Sequence, residues 1–314
     1  MIDKTASSSF YSPKNILIMA ALTAGYLLVS YFLIGFHSDQ LFLVSIINLL
    51  FFISRGTRSF IISLSAFIIF WIVFNYMKAF PNYNYSTVHI EDLYNFDKRV
   101  FGVTEAGTRL TQNEYWFAHR HIFLDVLCSI CYLLWIPGPL ALCVYFFFTD
   151  RKQAFHFSYT FLLVNFIGFV GYYVYPAAPP WYVQLHGFSF QTNTPGYAAG
   201  FTRVDNFFHI GLFNALYSKS SNVFAAMPSL HSSYPLICLY FAVKNKLKIG
   251  RIFFLLLSAG IWFAAVYSGH HYVSDVLAGI FCAIAGILLY GILIKKKTFV
   301  YYFIEKLAKK AEEK

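Results

Sequence analysis

Charge is what this sequence has least of. Of its 314 residues only 12% are Asp, Glu, Lys or Arg. A soluble domain carries about 25%. Such a shortage leaves no room for a separate soluble domain, and the chain reads as one integral unit. Cysteine is sparse as well. All five (Cys128, Cys131, Cys143, Cys238, Cys282) lie in apolar runs and none in a loop, which excludes a disulfide framework. The Cys128-x-x-Cys131 pair reads as packing on a helix in lipid. No HExxH and no cysteine cluster is present. A convincing small-residue cleavage site is missing after the first apolar run, so that run reads as a retained span rather than a signal peptide.

What the chain has in excess is apolar length: 58% of its residues are hydrophobic. Runs close to the ~20 residues that cross a bilayer recur from end to end, which predicts an all-α polytopic membrane protein. The expected crossings are 15–36, 41–53 (short for a span, and so thin or re-entrant), 59–78, 122–148 with a kink at Pro137 and Pro139, 155–175, 228–244, a seventh ending near Tyr267, and 273–294. Residues 1–80 thus hold the N-terminal spans. The 81–120 stretch changes character, and Glu91–Gly102 mixes charged and apolar residues at helical spacing, as in an amphipathic interfacial helix. Residues 121–294 form the remaining core, and 295–314 a basic tail. Between Trp181 and Pro228 runs a long loop rich in aromatics, expected to be an ordered lid because long loops in compact folds are functional or disordered.

The net charge of +10 is unevenly placed. With the N-terminus in the cytoplasm and eight crossings, 17 of the 24 basic residues fall on the cytoplasmic side. That bias is a topology signal and an attraction to anionic lipid, not a nucleic-acid footprint. It also puts Pro176–Trp181, the long loop, Pro228–His231 and His270–Asp275 together on the extracytoplasmic face. That face is the periplasmic side of a bacterial inner membrane or the lumen of a Golgi-type membrane. ATP is not expected there, so a phosphoryl donor on that face should be a lipid.

Two stretches carry chemistry: Met227-Pro228-Ser229-Leu230-His231 and Tyr267-Ser268-Gly269-His270-His271-Tyr272-Val273-Ser274-Asp275. His271 and Asp275 are four apart, which on a helix is one face. His270, five before the carboxylate, points elsewhere. A carboxylate on one ring nitrogen fixes the tautomer and stabilises the imidazolium. Pro228 suits a first helical turn and would leave the amides of Ser229, Leu230 and His231 as a cradle for phosphate oxygens, with the Ser229 hydroxyl adding a donor. His231 has no nearby carboxylate and suits proton donation to a leaving alkoxide. Plainer readings compete. Interfacial histidines are often structural, Asp275 could be merely hydrated, and His231, His270, His271 and Asp275 have metal-ligand chemistry. With no recognisable metal motif, no metal and no cofactor is assigned. Both motifs stand at helix starts on one membrane face, and that conjunction favours catalysis.

Pro228-Ser229-Leu230-His231 followed by His271-x-x-x-Asp275 resembles the second and third signature motifs of the type 2 phosphatidic acid phosphatase superfamily. The leucine variant, His270-His271-Tyr272, and Tyr175-Pro176-Ala177-Ala178-Pro179-Pro180-Trp181 resemble its inositol phosphorylceramide synthase branch. The resemblance implies a core of six transmembrane helices, here with about two extra N-terminal spans. It implies His271 as nucleophile, Asp275 as its orienter and His231 as general acid and base. Ser229, His270 and Tyr175 are then expected at the phosphate, and Pro179, Pro180 and Trp181 in the substrate pocket. Two departures stand out. The Lys-x6-Arg-Pro first motif is absent, with Tyr175 before Pro176, and Ala265 stands where the third motif has arginine. Phosphatases clamp a phosphomonoester dianion with those cations, so their loss suits a phosphodiester monoanion. Arg203 and Lys219, the basic residues of the long loop, are the candidates for neutralising it; both could equally face solvent.

The expected activity is transfer of an inositol-phosphate headgroup from phosphatidylinositol to ceramide through a phosphohistidine, releasing diacylglycerol. The alternatives are a lipid phosphate phosphatase of the same superfamily and a non-catalytic lipid transporter or scramblase.

Overall fold

The computed structural model describes residues 11–218 and 222–312. Among them helices dominate: α1 (Pro13–Ile34), α2 (Ser38–Ile53), α3 (Arg55–Ser63), α4 (Ser65–Tyr76), α5 (Glu91–Phe101), α6 (Gln112–Ala118), α7 (Ile122–Leu133), α8 (Pro137–Thr149) and α9 (Arg151–Val174). There follow the short α10 (Pro180–His186), α11 (Thr202–Phe208) and α12 (Leu212–Tyr217), then α13 (Leu230–Lys244), α14 (Lys248–Tyr267), α15 (Val273–Lys295) and α16 (Phe299–Glu312). One small antiparallel hairpin, β1 (Val103–Glu105) with β2 (Thr108–Leu110), interrupts the otherwise helical fold.

Four helices (α1, α9, α14, α15) are long and apolar enough to cross a bilayer, and six crossings result if each of two bent pairs counts as one. The first pair, α3 with α4 and the turn that extends it to Ala79, bends by 51°. Ser63 Oγ donates back to the Ser59 carbonyl at 2.9 Å there, a competitor that bends helices. The second, α7 with α8, bends by 42° where Pro137 opens the new helix, as the proline deletes a backbone donor. The second apolar run forms a helix of only 16 residues.

The α13 start differs from expectation. Pro228 is not in its first turn: the helix begins at Leu230 with Ser229 as N-cap, and the Met227–Pro228 peptide is cis.

Helix α13 sits centrally, against α9, α14 and α15. Phe70, Phe161, Phe169 and Tyr234 form an aromatic core beside it. The Tyr234 hydroxyl donates to Asn165 Oδ1 at 2.6 Å, a polar tie between α13 and α9 of the kind that holds helices together in lipid. Small residues set the approach of the backbones. A side chain at Gly279 would strike the Ser229 carbonyl, and side chains at Gly168 and Gly171 would strike Leu230 and Pro228. These three glycines let the Pro228–His231 segment lie between α9 and α15.

At the other end of the bundle α16 packs Ile304 and Ala308 on Phe155, and Lys152 pairs with Glu305 at 2.6 Å. The basic clusters at Arg151–Lys152 and Lys295–Lys297 therefore lie at the end opposite the α13 and α15 starts.

Candidate active site

The turn between α14 and α15 carries both adjacent histidines. Gly269 adopts a positive φ of 80° there, which glycine tolerates without steric cost. The amides of His270 and His271 then donate to the Ala265 carbonyl at 3.1 and 3.0 Å. Ala265 itself is fully buried. His271 thus precedes α15 rather than lying on it, with Tyr272 as the N-cap. The helical i, i+4 argument does not describe the pair, yet the turn still brings them together. His271 Nδ1 lies 3.6 Å from Asp275 Oδ2, within ion-pair range and longer than a hydrogen bond. Asp275 is fully buried, and its Oδ2 accepts the Tyr272 amide at 2.8 Å.

From α13, His231 completes the array. Its Nδ1 and His271 Nε2 lie 3.3 Å apart and share a hydrogen bond. The Ser229 amide donates to the Asp275 carbonyl at 2.9 Å, so the start of α13 is pinned to the first turn of α15. That bond corrects the expected cradle, because the Ser229 amide is not free for a ligand. Its side chain is fully buried and receives the Ser232 hydroxyl at 3.1 Å.

His270 turns away from Asp275. Its Nδ1 pairs with Ser268 Oγ at 3.0 Å, and its ring packs on Phe201 and Tyr217. Burial pushes its imidazole well below the usual histidine range, and neighbouring His271, His231 and Arg120 add to this. Together with His271 it lines an open cleft of about 440 Å³, walled by Pro179, Trp181, Tyr197, Tyr217 and Asn222. Pro180 is buried as the first residue of α10 and does not line the cleft. Tyr175 is not in its wall either; it stacks on His89 at 3.7 Å.

The long loop forms α10, α11 and α12 and closes over this end of the bundle. Two backbone bonds dock it on the histidine turn: the Trp181 amide to the Gly269 carbonyl at 3.0 Å, and the Gly200 amide to the Ser268 carbonyl at 2.8 Å. Within it Arg203 is committed to buried Asp125, with Nε at 2.8 Å from Oδ2, and that carboxylate also receives the Tyr267 hydroxyl at 2.8 Å. Lys219 lies outside the described residues.

Several residues that support the site are invisible to motif reading. Arg120 packs beside Gly200 and over Phe117, and its Nε is buried without a hydrogen-bond partner among the described residues. Asn113 donates to the carbonyls of Val266 at 2.7 Å and His271 at 2.9 Å. Asp97, buried on α5, accepts the Ser274 amide and hydroxyl, both at 3.0 Å. The only hint in the sequence was polar residues interrupting apolar spacing in 91–120. Among the described residues, no group of three or more His, Cys, Asp or Glu is placed to hold a metal ion.

Residues 91–289 match the model of the PAP2 superfamily. The chain belongs to the PAP2 superfamily. As a PAP2 member it is 41% identical over 297 residues to the phosphoinositol dihydroceramide synthase of Bacteroides thetaiotaomicron, covering 93% of this chain and 97% of that protein. It is 28% identical over 159 residues to the inositol phosphorylceramide synthase of Candida albicans, half of this chain and 34% of that protein. It is 34% identical over 122 residues to the inositol phosphorylceramide synthase catalytic subunit AUR1 of Saccharomyces cerevisiae, 37% of this chain and 29% of that one. No solved structure matches.

Proposed function

We propose that this PAP2 protein moves an inositol-phosphate headgroup from phosphatidylinositol to ceramide in a membrane. The printed activities of its relatives support the substrate classes. The observation that carries the mechanism is the array Asp275–His271–His231, with Asp275 and His271 buried and His271 at the cleft wall.

In that array Asp275 faces Nδ1 of His271 and orients the ring, which leaves Nε2 as the nucleophile. The Nε2 lone pair attacks phosphorus and the bond to the diacylglycerol oxygen breaks. His231, 3.3 Å away, supplies the proton that this oxygen takes. His231 then accepts the proton of a ceramide primary hydroxyl. The ceramide oxygen attacks phosphorus, the P–N bond breaks and His271 is restored. A phosphatase reading is less well supported, because the first-motif lysine and arginine are missing and Ala265 replaces the third-motif arginine.

The same reading assigns a six-helix core with two N-terminal spans, α5 at the interface, and the histidine end outside the cytoplasm. Its support is that basic clusters terminate the opposite helix ends. Arg120 and Arg203 around the single carboxylate of Asp125 leave one excess positive charge beside the histidine turn, a field suited to an anionic donor.

The test is purified protein in mixed micelles with headgroup-labelled phosphatidylinositol and ceramide. His271→Ala should lose transfer entirely while retaining its thermal unfolding profile. Transfer at the wild-type rate would rule the mechanism out.

A further inference from the structure

The structure assigns Tyr132, assisted by Tyr217, to the reaction: we propose that the Tyr132 hydroxyl donates a hydrogen bond to a non-bridging oxygen of the phosphodiester undergoing transfer. The proposal rests on the headgroup-transfer reading above and names how the site holds its charge.

The starting observation is a polar atom without a use. Tyr132, near the end of α7, is 1% exposed, and among the described residues its buried hydroxyl has only the Tyr217 hydroxyl beside it, outside good hydrogen-bond geometry. A buried hydroxyl with one poorly aligned neighbour recovers little of what it loses with water. Its ring lies against both motifs, 4.8 Å and 25° from His231 and 5.6 Å and 40° from His270. No other phenol in the described structure touches both histidines. Tyr217 stands beside it: its ring is 4.4 Å from His270, it lines the cleft, and its hydroxyl neighbours that of Tyr132.

The chemistry of the ligand follows from what surrounds it. Among the described residues the cleft wall contains no lysine or arginine. A phosphodiester carries one negative charge on two oxygens that only accept hydrogen bonds. A phenol donates one without adding a charge. As His271 attacks, electron density grows on those oxygens, so a donor already in place stabilises the transition state more than the ground state. Orphaned donors are tolerated in a resting site when the ligand completes them. Tyr132 thus takes over, with a neutral donor, part of what the missing motif cations do elsewhere in the superfamily.

The experiment compares wild type, Tyr132→Phe, Tyr217→Phe and His271→Ala as purified full-length protein. It measures turnover and KM with labelled phosphatidylinositol, together with thermal unfolding in the same detergent. Tyr132→Phe removes an oxygen whose one neighbour is the Tyr217 hydroxyl, so unfolding should shift little. Turnover should fall about 100-fold, with KM changing only a few-fold. Tyr217→Phe should fall less. Incorporation of 3-fluorotyrosine at 132, which keeps the hydroxyl, should retain turnover. Full turnover in Tyr132→Phe beside an inactive His271→Ala would overturn the tyrosine assignment and leave headgroup transfer standing. Loss of turnover matched by a lowered unfolding temperature would overturn it too, because the hydroxyl would then be structural. Activity surviving in His271→Ala would overturn the parent mechanism instead.

Discussion

Asp97 offers the sharpest physical test of how the site is supported. Its carboxylate is fully buried. One oxygen takes both Ser274 bonds, and among the described residues the other has no well-formed hydrogen bond. Burial is the main cause that raises its pKa from 3.8 to about 6; Ser274 opposes the rise and the charge of Asp275 adds to it. A rise of about two units corresponds to about 3 kcal/mol at 1.36 kcal/mol per unit. The sign follows from proton counting. Below about pH 4 the group is protonated in both folded and unfolded chains and costs nothing. Between about pH 4 and 6 the unfolded chain releases the proton first, so stability falls as pH rises, and above about 6 the loss is complete. Asp97→Asn keeps an acceptor for Ser274 and removes the charge. It should therefore be more stable than wild type at pH 7.5, with the advantage shrinking towards zero near pH 4. Thermal unfolding of both proteins in one detergent across pH 4.5–7.5 measures this. A wild-type-minus-variant difference that stays constant across that range would refute the reasoning. Asp97→Ala, which strips both bonds from Ser274, should lose stability and turnover together.

Other perturbations separate chemistry from support. Asp275→Asn retains an oxygen for the Tyr272 amide but no charge for His271, so steady-state turnover should fall by about 10²–10⁴ with the fold intact on thermal unfolding. Gly279→Ala places a methyl against the Ser229 carbonyl. Because backbone cannot rotate aside, α13 and α15 must part, at about 1–3 kcal/mol, and both unfolding temperature and turnover should drop. Asn113→Leu leaves the Val266 and His271 carbonyls without their donor, at about 1–3 kcal/mol for a buried acceptor. It should lower turnover by loosening the histidine turn, which hydrogen exchange at residues 266–272 would register.

Much of the candidate site could be read from the chain alone. His231, His271 and Asp275 stand out because polar, titratable groups at the ends of apolar runs are expensive and therefore conspicuous. The choice of His271 over His270 agrees with the geometry, although the reason differed, because a turn rather than a helix face presents it to Asp275. The free Ser229 amide and the first-turn Pro228 did not survive, since neither the helix start nor the cross-bond to Asp275 is encoded in spacing. Arg203 looked available in the sequence, but folding brings it to Asp125, 78 positions earlier.

The sequence by itself determined the apolar lengths, the charge asymmetry and the identities of the candidate reactive groups, because these depend on residues near one another along the chain. Tertiary structure decided which groups support and complete them. Asp97 meets Ser274 across 177 positions and Asn113 meets His271 across 158. Tyr132 reaches both histidine motifs only because α7 packs at that end of the bundle. Side-chain bonds to distant backbone leave no periodic trace, so only the packed helices reveal them.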